Sequence, residues 1–402
     1  MLIKFGALII IFCAAKFSWA QIAARNSCLN CHNDYAAMMS SSIHFKEQIF
    51  CNSCHGGNPA LHDQKSAHDR QRGYVGVPEK KIIPLICGSC HADVERMNFF
   101  GIPTDQLAQY RTSDHGKGLF QKGMTDVAVC TDCHGHHDVV QVGDPNAPVY
   151  PLNIPTTCEQ CHGNEKLMNR HGLPFDIPEK YKKSVHGKAL LEKNDLGSAQ
   201  CVSCHGSHGA HPPRVNNIVS ACGKCHVKER QFFSESVHAS LAEAGKFPEC
   251  ISCHNNHEIK VASLEIYEQM CLKCHLKTDP ALKRGSQILS LLQDSERLLK
   301  ASALLVKQAG IDGLFVEDEQ ALLEVVNTNT LELGPLQHTL DLIRISKHHA
   351  DLKNKNNEIN SLIVRKYKDR HLRTLVLVFI WAFILLMMLA LWKRYKQYTR
   401  PK

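Results

Sequence analysis

The sequence predicts a chain with little β-sheet. Short α-helices and irregular loops pack around prosthetic groups, and a helical hairpin or small bundle and one C-terminal transmembrane helix follow. Three observations predict this. A five-residue box, Cys-x-x-Cys-His, occurs nine times before residue 276 and takes up eighteen of the nineteen cysteines. Beyond Cys274 cysteine vanishes and leucines and isoleucines recur at helical period. Near the C-terminus, Leu375 to Trp392 is an unbroken run of eighteen apolar residues, just long enough to span a bilayer.

The boxes are Cys28, Cys31 and His32; Cys51, Cys54 and His55; Cys87, Cys90 and His91; Cys130, Cys133 and His134; Cys158, Cys161 and His162; Cys201, Cys204 and His205; Cys222, Cys225 and His226; Cys250, Cys253 and His254; and Cys271, Cys274 and His275. Two thiols three positions apart can each form a thioether with one vinyl group of the same porphyrin. The next residue then points an imidazole nitrogen at the iron. Zinc sites also use Cys-x-x-Cys pairs but need no histidine directly after the second cysteine, and here all nine have one. The expectation is nine covalently attached c-type haems, a multihaem cytochrome c.

Residues 1–20 read as a secretory signal peptide: Lys4 is basic, Phe5 to Ala15 is apolar, and Ser18-Trp19-Ala20 suits cleavage. An uncleaved anchor fits less well, because Lys16 stops the apolar run short of a bilayer span. Cys13, the one cysteine outside a box, goes with this segment. No thiol then remains for a disulfide or a catalytic nucleophile.

The haem domain is assigned to residues 21–277. From Cys28 to His275 there are 248 residues, about 28 per box, too few for ordinary apolar cores between the cofactors. The porphyrins must themselves be the interior. Internal repetition organises the domain. Outside the boxes, Ser-x-His occurs at His44, His115, His186 and His238, the first three 71 residues apart and each preceding two boxes, with a further copy ending at His68 inside the first module. This gives a leading box and four two-haem modules. Cys90 to Leu119 aligns without a gap on Cys161 to Leu190.

The stretch 130–162, CTDCHGHHDVVQVGDPNAPVYPLNIPTTCEQCH, together with 184–226, resembles the doubled-box multihaem cytochromes of bacterial anaerobic and extracellular electron transport. The resemblance covers roughly residues 28–275. It implies haem attachment on the outer side of the inner membrane, which agrees with export. It also implies that the histidine of Ser-x-His, and the one three positions after a box, are distal iron ligands. Carried onto this chain, these are His44, His115, His186 and His238, then His137, His208 and His257. The first module departs from the pattern, with Asn58 three positions after His55. Of the next histidines, His62 and His68, the latter ends a Ser-x-His and is the better candidate. His171 joins the ligand set on weaker grounds, because Phe100 occupies its place in the aligned repeat. His136 and His211 have better-placed neighbours and are left out. Met97 and Met168 match across the repeats and are read as packing residues. Histidine at both axial positions keeps potentials low relative to a His/Met pair.

Residues 278–364 are expected to form the helical hairpin or bundle. Thr278 or Asp279 caps a helix opening with Pro280. Ile288, Leu291, Leu292, Leu298, Leu299 and Leu305 share a face with the small Ser295 and Ser302. The GIDG of 310–313 is a turn. A second helix runs from about Asp318 to Leu333 until Gly334-Pro335 breaks it, and a third continues through Leu340, Ile343 and Ile345. His338, His348 and His349 read as helix-surface residues, with His338 the one that could cap a late haem. Residues 365–402 are the anchor, its apolar run flanked by basic residues and ending on the interfacial Trp392.

The formal charge of +8 belongs mostly to that anchor, where residues 365–402 carry ten basic groups and one acid. With Lys4 and Lys16 set aside, 21–364 is about −3 before propionates are added. The basic balance therefore suits anionic headgroups rather than nucleic acid, and a basic soluble partner is steered to the haem domain more readily than an acidic one.

These readings converge on a membrane-anchored electron-transfer protein of the bacterial inner membrane, single-pass, with its haem domain in the periplasm. Electrons would move between an inner-membrane quinone-linked subunit, such as a b-type cytochrome, and periplasmic redox proteins or a terminal reductase. The alternative is a multihaem reductase of a small nitrogen or sulfur oxyanion, acting at one haem with an open distal site.

Overall fold

The computed structural model describes residues 26–213, 218–247 and 249–398. The signal-peptide reading and Cys13 lie outside them. Among the described residues all regular structure is helical, with no strand. The chain divides into two units: residues up to Pro213 with Asn256–Lys260, and Arg214–Asn255 with Val261–Lys402.

In the first unit the Cys28 box is a four-residue turn, Cys28–Cys31, and the other five boxes form two kinds of short helix. Cys51–His55, Cys130–His134 and Cys201–His205 are single turns, each stopped by a glycine at positive φ: Gly56, Gly135 and Gly206. The boxes at Cys87 and Cys158 instead end the nine-residue helices Ile83–His91 and Ile154–His162. Pro84 and Pro155 sit in their first turns, where a missing N–H costs nothing. The two forms alternate along the chain from Cys51 to Cys201.

The Ser-x-His motif opens a helix. Ser113 and Ser184, both buried, cap Asp114–Lys122 and Val185–Lys193. Each hydroxyl accepts from the N–H three residues on, at 2.9 Å, and donates to a tyrosine carbonyl three residues back, at 2.6 Å. Those tyrosines, Tyr110 and Tyr181, donate in turn to Ala128 and Ala199 carbonyls at 2.8 and 3.0 Å. The histidine of the motif is thereby fixed on the first helical turn. Apolar clusters in this unit are small, Leu29 with Met39 and Phe45, and Tyr110 with Leu119 and Val129. Met97 and Met168 are both buried.

In the second unit three long helices, α1 (Pro280–Ile311), α2 (Glu317–Leu336) and α3 (Leu342–Tyr398), pack as a bundle. Asp279 is the cap of α1, accepting from the Ala281 N–H at 2.8 Å. Ile288, Leu292, Val306, Val326, Leu333, Ile345, Leu352 and Ile359 form the core. The small Ser295 and Ser302 let α3 approach α1, and they hydrogen-bond His349 and Asn356 across the contact.

Two details differ from the sequence reading. Gly334 and Pro335 do not break α2. A proline this close to a helix end removes one backbone hydrogen bond at most, and the helix runs to Leu336. The reversal comes after the 3-10 turn Gln337–Thr339, at Leu340, whose φ of 54° is left-handed. The third bundle helix and the apolar segment are also one helix of 57 residues, about 85 Å long. No glycine or proline interrupts it. Its apolar stretch is exposed and is long and apolar enough to cross a membrane.

Candidate haem sites

A single helical turn brings positions i, i+3 and i+4 to one side. Both thiols and the imidazole of the boxes at Cys51, Cys87, Cys130, Cys158, Cys201 and Cys250 therefore leave the backbone together. What the sequence leaves open is the second imidazole. Two rings sharing one metal atom, at roughly 2 Å from each coordinating nitrogen, have centroids about 6 Å apart.

Among the described residues, eight pairs of histidine rings stand at that separation, each with one member from a box. In the first unit they are His32 with His68 at 6.0 Å, His55 with His137 at 6.0 Å and His91 with His44 at 6.0 Å. His134 with His208 at 6.0 Å, His162 with His115 at 6.1 Å and His205 with His257 at 5.9 Å complete that set. In the second unit His275 lies 6.2 Å from His238, and His254 lies 6.2 Å from His338. The residues present thus fit iron held between two imidazoles. His226 begins Val227–Ser234 and His186 stands on the first turn of Val185–Lys193. Both have interactions beyond the eight pairs.

Burial holds the paired rings of His44 and His91, His115 and His162, and His134 and His208 below the ordinary histidine value. A neutral ring keeps a lone pair for a metal. The other nitrogen of a ligating histidine is often fixed by a hydrogen-bond acceptor. His55 Nδ1 faces the Gly76 carbonyl at 2.7 Å, His205 Nδ1 the His211 carbonyl at 3.2 Å, and His275 Nδ1 the Asp279 carboxylate at 2.8 Å.

The cysteines show the order of the boxes. Cys87 and Cys130 thiols lie within hydrogen-bonding reach, as do Cys158 and Cys201, and Cys222 and Cys250; each contact pushes one thiol up and its partner down. Cys28 is likewise raised, by burial first and by Cys51 beside it. The second cysteines make the complementary links: Cys54 is near Cys90, Cys133 near Cys158 and Cys161, and Cys253 near Cys271 and Cys274. Within each unit, every box therefore neighbours the next one in the sequence. Sequence reading had no signal for this.

His171 does not face a box histidine. Its Nε2 is 3.1 Å from the Asp126 carboxylate, which Arg170 also approaches at 3.4 Å. A hydrogen bond to Asp126 occupies this ring, and the aligned repeat has Phe100 at the position. His136 packs edge-on to His137, and His211 turns its Nδ1 to the Gly209 carbonyl. Conversely, His338, which the sequence offers as a helix-surface residue that could cap a late haem, does face a box histidine, His254.

The boxes and facing imidazoles define a c-type cytochrome of several haems, a class of electron carriers. Residues 221–292, which hold the last three boxes and the start of α1, match the family model described as cytochrome c554 and c-prime. No curated protein and no solved structure matches the chain.

Proposed function

We propose that the chain carries nine c-type haems, one per box, and conducts electrons along them between a quinone-linked membrane partner and periplasmic carriers or a terminal reductase. The observation that carries this reading is the set of eight facing histidine pairs. When bound, haem iron supplies a one-electron ferrous–ferric couple. Each box would hold one porphyrin through its two thiols, and the box histidine with the histidine facing it would hold the iron. The distal ligands on this reading are His68, His137, His44, His208, His115, His257 and His238, in the pairs given above. His186 keeps its ligand role through its Ser-x-His motif. His171 is left out of the ligand set, because its ring is engaged by Asp126.

Filled axial positions suit an electron carrier, whereas the reductase alternative needs an iron with an open one. The succession of neighbouring cysteines supports conduction in sequence order within each unit. We assign Leu375 to Trp392 of α3 as a single crossing of the inner membrane, with the haem domain on the periplasmic side and the basic C-terminal tail inside. No quinone pocket is assigned to this chain. The quinol chemistry falls to a separate subunit such as a b-type cytochrome, and basic periplasmic redox proteins are the favoured soluble partners.

Haem stoichiometry tests the count. Intact-mass spectrometry of the exported protein, beside a pyridine haemochrome assay, should give nine covalent haems per chain and residues 1–20 removed. A count below nine, or haem lost on acid-acetone extraction, would contradict the reading.

A further inference from the structure

Three boxes take their facing histidine by one rule. His55, His134 and His205 face His137, His208 and His257. Each of these stands three positions after the second box further along: after His134, His205 and His254. For the box at Cys250 the rule fails, because only one box, ending at His275, follows it. The ring facing His254 is that of His338, at 6.2 Å between centroids. We propose that His338 is the distal axial ligand of the iron at Cys250, Cys253 and His254. The helical bundle then closes this site where the repeat runs out. The inference rests on the haem reading above.

The local structure prepares His338 for this. Its Nδ1–H donates to the Pro335 carbonyl at 3.0 Å, which leaves Nε2 as the coordinating nitrogen. The turn that carries it is pinned on both sides. Tyr267, between the last two boxes, donates its hydroxyl to Gln337 Oε1 at 3.1 Å, and Thr339 donates to the Leu336 carbonyl at 2.9 Å. The neighbouring bundle histidines are committed elsewhere. His348 Nε2 meets the Asn329 carbonyl at 2.8 Å, while His349 is held between Ser295 at 2.9 Å and Asp294 at 3.3 Å. His338 also stands four positions before α3 begins. The iron it binds is therefore tied to the root of the helix that carries the apolar segment. The bundle is a ligand donor rather than a passive stalk.

The test is electron paramagnetic resonance with spin quantitation on the full-length oxidised holoprotein, comparing His338→Gly with His348→Gly. His338→Gly should convert one haem equivalent from low to high spin, and added imidazole should restore it; His348→Gly should convert none. Unchanged low-spin content in His338→Gly would overturn the proposal. If the glycine variant does not accumulate, His338→Met serves instead. It keeps a ligand and should raise the potential of one haem alone, and nine unchanged potentials would overturn the assignment. A wild-type protein without covalent haem would overturn the underlying reading instead.

Discussion

Made without haem attachment, the chain should lose almost all protected structure from residue 26 to 275 and keep it in α1–α3. The helices of the haem-binding part are mostly four to nine residues long, and helices shorter than about 12–15 residues are marginal in water by themselves. The first unit's apolar clusters, Leu29 with Met39 and Phe45 and Tyr110 with Leu119 and Val129, are too small to offset the chain entropy of its loops. The bundle has its own core through Ile288, Leu292, Val326, Leu352 and Ile359. Hydrogen exchange of detergent-solubilised apoprotein should therefore show slow amides only between about residues 280 and 398. Protection retained in Cys130–His134 or Ile154–His162 would contradict the view that porphyrin is the interior.

Gly116→Ala should open the pair His115 and His162. A Cβ at Gly116 would meet the Tyr110 carbonyl oxygen at 1.9 Å and Arg111 Cα at 3.0 Å, all backbone atoms that no rotamer can move. The Ser113 cap depends on the same close approach, since its hydroxyl bridges the Gly116 N–H and the Tyr110 carbonyl. The helix start must shift, and His115 shifts with it. The expected result is one haem equivalent turning high-spin. Loss of the cap would add about 1 kcal/mol of destabilisation. Gly143→Ala, where an added Cβ meets nothing within 4 Å, is the control and should leave the spectrum unchanged. Gly187→Ala repeats the experiment one module later, with its Cβ 2.1 Å from the Tyr181 oxygen.

The box residues were legible because haem attachment dictates their spacing. The Ser-x-His motif was legible as a repeat, but its cause was not: serine is a buried cap, and the glycine after His115 and His186 permits a backbone contact. Which histidine faces which box could not be read, because the partner comes from a box or two away along the chain. His91 meets His44 from before the preceding box, whereas His55 meets His137 from beyond a later one. His171 had no repeat behind it, since Phe100 stands at the aligned position, and its ring is engaged by Asp126. His338 could be named only as a residue able to cap a late haem, because a single histidine outside the repeat carries no register. In the bundle, leucine periodicity and the Asp279 cap were plain. The reversal at Leu340 was not, since a non-glycine residue in the left-handed region leaves no mark in the sequence. The continuity of α3 was readable in principle: no breaker separates Leu342 from Leu375.

The central claim is that the iron sites are closed by paired histidines and serve conduction. Near-infrared magnetic circular dichroism of the fully oxidised holoprotein tests it most directly, because the band positions report axial ligand pairs even where neighbouring haems couple magnetically. Low-spin iron throughout is expected, with bis-nitrogen ligation at every haem. A high-spin equivalent that shifts on adding nitrite, hydroxylamine or a sulfur oxyanion would contradict it and make the protein a reductase.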